Sequence, residues 1–172
     1  MAGGVLALDL ASKTGWAVGK LPIRPLTMLE ACAAKPPQPL SGVARFSGDV
    51  GPFLSSFEAW LSKMLNQHRP GGIIFESPIL PAETNPATVM KLNSLAGITQ
   101  MVAFRRGIRW VRSAQPSTVK KHFSGSGKKG KQNVMDACRA RGWVYEDDNM
   151  ADALALWDFA ATLFHGEKAR AA

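Results

Sequence analysis

Four carboxylates stand in contexts where an isolated acid is costly. Asp9 lies inside the apolar run of residues 5–10, ahead of a short turn made of Ser12, Lys13, Thr14 and Gly15. A charged group in a buried strand needs a partner, and a divalent cation taking oxygen ligands is a natural one. An exposed acid on an edge strand accounts for this stretch equally well. Glu76 closes a second apolar run, Ile73-Ile74-Phe75. Asp152 falls one turn inside a segment otherwise built from Ala, Leu, Trp and Phe, and Asp148 precedes it by four residues. That spacing puts both on one face of a helix. An acidic helix start (Glu146, Asp147, Asp148) is ordinary dipole complementarity, but Asp152 is too deep in the helix for that, which favours metal ligation over capping.

The elements that must carry these acids can be read in order. Residues 5–10 and 16–19 form two strands around a tight turn, and Gly42 to Ser47 supplies a third, giving an antiparallel meander. Between them, residues 21–40 contain five prolines and read as an irregular insertion, with a helical turn near Met28 to Ala34 and no chemistry of its own. Phe53, Leu54, Phe57, Trp60, Leu61, Met64 and Leu65 keep helical spacing, so these aromatics belong to a core rather than to a stacking platform. A helical crossover into the Glu76 strand implies that this strand runs parallel to the first. Both acids then lie towards the C-terminal ends of their strands, where open α/β sheets build sites.

Asn85-Pro86 marks a helix start, and that helix runs to about Arg106 with Gly107 closing it. It is apolar on two faces, Val89, Leu92, Ala96, Thr99 and Val102 on one, Met90, Gly97, Met101 and Phe104 on another. One face can pack on the sheet and the other on a second subunit; burial within one subunit explains the pattern as well. Ile108 to Val111 is the last strand, and Pro116 opens a short helix. In residues 124–131 three glycines expose backbone N–H groups, and Lys120, Lys121, Lys128, Lys129 and Lys131 can neutralise phosphates. The spacing is not that of a P-loop, and a solvated loop is the plain alternative. Gln132 to Arg141 is a further helix, ended by Gly142.

Composition narrows the partners. The chain has 172 residues, enough for one domain with a substantial core. Its formal charge of +8 and pI near 9.9 favour a polyanion, nucleic acid before an anionic membrane surface. Two cysteines, Cys32 and Cys138, without Cys/His metal spacing, argue against a disulfide framework and fit a reducing compartment. No apolar run reaches the roughly 20 residues of a membrane span, and no secretory signal opens the chain. A cytoplasmic protein is expected.

Taken together, these residues resemble the RuvC-like Holliday junction resolvases of the RNase H-like superfamily. Asp9, Ser12, Thr14 and Gly15 look like that family's opening strand and turn, and Ile73 to Glu76 like its second acidic strand. Asn85-Pro86 through Lys91-Leu92 to Ala96-Gly97 is similar to its long helix. Pro116 to Lys121, Gly125-Ser126-Gly127 and Lys131-Gln132 match its basic segment, and Asp152 to Ala155 its terminal acidic helix. Two departures stand out. Where members often carry an acid or histidine three residues before the last Asp, this chain has Asn149, with Asp148 beside it. Where they tend to place an aromatic after the second acid, it has Ile79 and Leu80.

The resemblance, which covers nearly the whole chain except the Pro-rich insertion at about 21–40, implies a single RuvC-like domain over residues 1–172, with a five-stranded mixed sheet (antiparallel meander plus parallel strands) flanked by helices. It implies a homodimer that makes paired nicks in branched DNA, a four-way junction. Asp9, Glu76, Asp148 and Asp152 would converge as catalytic metal ligands, since they could not all stay ionised without cations. Two Mg²⁺ ions, with Mn²⁺ as a substitute, would sit roughly 4 Å apart, activate a water and stabilise the leaving oxygen. Lys120, Lys121, Lys128, Lys129 and Lys131 would hold DNA phosphates. Asp148 is expected to take the fourth ligand role, and Asn149 to cap the helix or bind a metal-bound water. Two other readings compete: a non-catalytic structured-DNA-binding module of the same fold, and an actin-like ATPase. The ATPase would need a second Gly-rich phosphate loop late in the chain.

Overall fold

The computed structural model describes residues 3–78, 85–125 and 131–170, with the side chain of Lys131 excepted. Five strands form one mixed sheet in the order β3-β2-β1-β4-β5. β1 (Val5–Asp9), β2 (Lys13–Gly19) and β3 (Leu40–Arg45) make the expected antiparallel meander. β4 (Gly72–Glu76) runs parallel to β1, and β5 (Trp110–Ala114) parallel to β4. The last strand starts two residues later than the expected Ile108. Gly107, at φ +70°, and Ile108 are used to turn out of the preceding helix, with the Ile108 N–H bonding back to Ala103 O at 3.0 Å.

Alternation along the strands divides the core in two. Leu6 and Leu8 of β1 and Ile73 and Phe75 of β4 face one side. They pack there on Phe53, Phe57, Leu61 and Leu65 of α2 (Val50–His68) and on Leu95, Val102 and Ala103 of α3 (Pro86–Arg105). Val5, Ala7 and Ile74 face the other side. Their partners are Val119 and Phe123 of α4 (Pro116–Ser124), Val134 and Cys138 of α5 (Lys131–Ala140), and the apolar length of α6 (Asp148–Arg170). Phe53 and Phe57 are core residues as expected, with Phe46 set edge-on to both rings. Asn85 caps α3, its Oδ1 accepting from Ala87 N at 2.8 Å, and Pro86 stands in the first turn. Met90, Met101 and Phe104 of α3 are exposed, so among the described residues its second apolar face is left uncovered.

The insertion carries α1 (Met28–Ala34), opened by a reciprocal Thr27/Glu30 capping box. It is not a loose loop. The Gln38 amide bonds both backbone groups of Val144, at 2.7 Å each, and Trp143 Nε1 donates to Pro36 O at 2.7 Å. His165 Nε2 lies 2.9 Å from Pro22 O. The segment is clasped to the α5–α6 connection and to α6. Cys32 and Cys138 are both free thiols. Among the described residues no helix is long and apolar enough to cross a membrane.

Candidate active site

The site grows out of sheet register. Leu8 of β1 pairs with Phe75 of β4, and one step further along both strands stand Asp9 and Glu76. Alternation turns both acids to the face of Ala7 and Ile74, the α6 face. Asp9 is paired with Gly15 across the hairpin, and Glu76 with Ala114 of β5. Thr14, wholly buried, stitches the opening turn by donating to Ala11 O at 2.6 Å.

The third acid comes from α6, whose first turn is seated on that hairpin. A Cβ added at Gly15 would collide with the Asn149 carbonyl, so only glycine lets the helix approach this close. Asp147 caps the helix: Oδ1 accepts from Met150 N at 3.0 Å and the backbone oxygen from Ala151 N at 3.1 Å. Its other oxygen pairs with Lys13 of the hairpin. Burial works to raise the Asp147 carboxyl, but the Lys13 and Met150 bonds outweigh it and hold it below the usual carboxylate range. The capping role expected of Asn149 therefore falls to Asp147, two residues earlier. Asn149 Nδ2 instead donates to Asp148 Oδ1 at 3.3 Å.

One turn further in, Asp152 meets Lys120 of α4, with Nζ 3.5 Å from Oδ2. Glu76 sits deepest. Burial first, then the charges of Asp9 and Asp152, push its carboxyl up to about 8, while Lys120 works in the opposite direction. Glu76 Oε1 is buried without a hydrogen bond. The structure thus gathers Asp9, Glu76 and Asp152 into one electrostatic unit, with Lys120 as a cation beside it. Asp148 stands at the first residue of α6, one turn from Asp152.

Among the described residues no three His, Cys, Asp or Glu groups approach closely enough to enclose a metal ion as they stand. The donors nevertheless suit a hard divalent ion. They are carboxylate oxygens from two strand ends and a helix, and one is an orphaned buried oxygen on a group whose carboxyl is pushed up first by burial and then by its two acidic neighbours. Of the expected phosphate contacts, Lys121 is exposed on α4. Lys128 and Lys129 fall outside the described residues, as do Ile79, Leu80 and the Lys131 side chain.

Comparison with known proteins bears on the fold. No model of a known protein family matches the sequence, and no curated protein sequence does. Solved structures do match. Thermus thermophilus RuvC in complex with a Holliday junction substrate superposes with a TM-score of 0.73, over 94% of this chain and 95% of that one, at 20% identity. The fold is that of the RuvC resolvases. A second T. thermophilus RuvC structure gives 0.71 over 94% and 96% at 19% identity. The yeast mitochondrial Holliday junction resolvase Ydc2 gives 0.63 over 99% and 85% at 12% identity. Within this RuvC fold the three clustered acids occupy the C-terminal ends of β1 and β4 and the start of α6.

Sequence reasoning missed a second polar centre on the same face. Asp158 of α6, almost fully buried, accepts from His122 Nε2 at 3.1 Å and lies 3.9 Å from the buried Arg141 guanidinium. Arg141 in turn stacks on Phe123, 3.8 Å from the ring centroid, and donates to Phe123 O and Ala137 O. This network ties α4 and α6 to the residue that follows α5. The signal was available: Asp158 sits among Leu, Trp and Phe just as Asp152 does.

Proposed function

We propose that the chain is a metal-dependent endonuclease that resolves four-way DNA junctions by paired phosphodiester hydrolysis. The observation that carries this reading is the convergence of Asp9, Glu76 and Asp152 from two adjacent parallel strand ends and α6. The likeness in fold to RuvC, solved with a Holliday junction substrate, supports the substrate class. Asp9, Glu76 and Asp152 would hold Mg²⁺ or Mn²⁺, with Asp148 as the proposed fourth ligand. A divalent cation there supplies an activated water and offsets charge on the leaving oxygen. Burial of Glu76 against two other carboxylates makes it the group that gains most from such an ion. Lys121, Lys128, Lys129 and Lys131 would neutralise phosphates along the DNA arms, in keeping with the net charge of +8.

Paired nicks require two active sites facing a junction of near-twofold symmetry. A homodimer through α3 would supply them, and the exposed Met90, Met101 and Phe104 support that interface. Incubating the protein with labelled junction and linear duplex, in Mg²⁺ or in EDTA, tests the whole reading. Selective junction cleavage in Mg²⁺ alone is expected. Junction binding without cleavage in either condition would favour the non-catalytic binding module instead.

A further inference from the structure

Lys120 belongs to a basic segment, yet its side chain is drawn in from solvent where that of Lys121 is exposed. Val119 and Phe123 are fully buried in the core shared with α6, and this seating of α4 turns Lys120 toward the acids. The side chain is only 24% exposed, and the Asp152 carboxylate that it meets at 3.5 Å is 15% exposed. Lys121, the next residue on the same helix, is exposed. An ammonium that is mostly withdrawn from water against a carboxylate satisfies that carboxylate's need for a cation. It also opposes any second cation approaching the same oxygens, because like charges a few ångströms apart repel strongly where water is scarce.

We propose that Lys120 is a resident counter-cation that holds the carboxylate cluster in the absence of a divalent ion and must leave Asp152 for that ion to bind, so that it sets the metal affinity of the site. The inference rests on the metal-nuclease reading above. It separates two tasks for one lysine: bound to Asp152 it compensates the acids, and once displaced its ammonium is free for the substrate phosphate. The site would then stay empty at low metal concentration and load only when the ion outcompetes the lysine.

The test is calorimetric titration of Mn²⁺ into the DNA-free protein. Lys120→Gln should bind Mn²⁺ about tenfold more tightly than wild type. Lys120→Arg, which keeps the charge, should remain close to wild type. Lys121→Gln removes the same charge from the exposed side of α4 and should change affinity by less than about twofold. In junction cleavage, Lys120→Gln should reach half-maximal rate at lower Mn²⁺ while its maximal rate falls, a split that a merely structural lysine would not give. Unchanged or weaker binding in Lys120→Gln, or equal tightening in Lys121→Gln, would overturn the proposal while leaving the nuclease reading standing. Failure of the wild type to bind Mn²⁺ at millimolar concentrations would overturn both.

Discussion

Glu76 is the acid of the candidate site whose carboxyl its surroundings push up to about 8, and that environment makes a signed prediction. In the folded protein its carboxyl is pushed up to about 8, against an ordinary value of 4.5. Between those values the folded state keeps a proton that the unfolded state has lost. Stability of the metal-free protein should therefore fall as pH rises from about 4.5 to about 8, by up to about 5 kcal/mol. Glu76→Gln should abolish that part of the slope, and Mg²⁺ should relieve the loss near pH 8. Melting temperatures against pH in EDTA check this; equal slopes in wild type and Glu76→Gln would refute it. A second residue-scale prediction concerns the start of α6. If Asp148 is the fourth ligand, Asp148→Asn should bind junctions without cutting them, as Asp152→Asn should. Asn149→Ala should cost little stability, because Asp147 makes the cap. Full cleavage by Asp148→Asn would confine the site to the three acids around Glu76. Asp9, Glu76 and Asp152 were legible in the sequence because each is an acid in an apolar run. The inward turn of Lys120 was not. The direction of a long flexible side chain depends on which neighbouring residues seat its helix, and no local pattern encodes that.

Packing between elements holds these residues in place, and the seat of α6 on the opening hairpin is the most consequential. Gly15, Lys13 and Asp147 together fix how close the helix comes. Asp147→Ala removes both a cap and an ion pair, so it should lower stability by about 1–2 kcal/mol. It should also slow cleavage more than that stability loss explains, since Asp152 lies little more than a turn beyond. Denaturant melts beside single-turnover rates would show it; an unchanged rate in a folded variant would mean the seat does not position the site. Most elements were readable because they follow period 3.6 or carry their own punctuation, as with Asn85-Pro86 and Gly107. The insertion at 21–40 was readable only as a break. Its docking runs through the Gln38 amide and the backbone oxygens of Pro22 and Pro36, interactions that leave no periodic trace.

At the scale of the whole molecule, the order β3-β2-β1-β4-β5 places the acidic strands β1 and β4 side by side at the centre of the sheet, covered by α6. The topology followed from two features of the sequence, a hairpin with a short turn and a helical crossover that forces a parallel return. Assembly was less legible, because an apolar face on α3 reads the same whether a neighbouring element or a second subunit covers it. In the structure Met101 and Phe104 are exposed, so Met101→Glu should yield monomers that nick without pairing the cuts. Sedimentation of a monomeric wild type, with and without DNA, would argue against a twofold enzyme.

The central claim is that Asp9, Glu76 and Asp152 form one metal-dependent hydrolytic site acting on junction DNA. It is tested most directly by single-turnover cleavage of a labelled four-way junction in Mg²⁺ by wild type and Glu76→Gln, with affinity measured for both in EDTA. Equal affinity, rapid cutting by wild type and a rate several orders of magnitude lower in the variant are expected. Undiminished cleavage by Glu76→Gln, or cleavage by wild type that persists in EDTA, would contradict it.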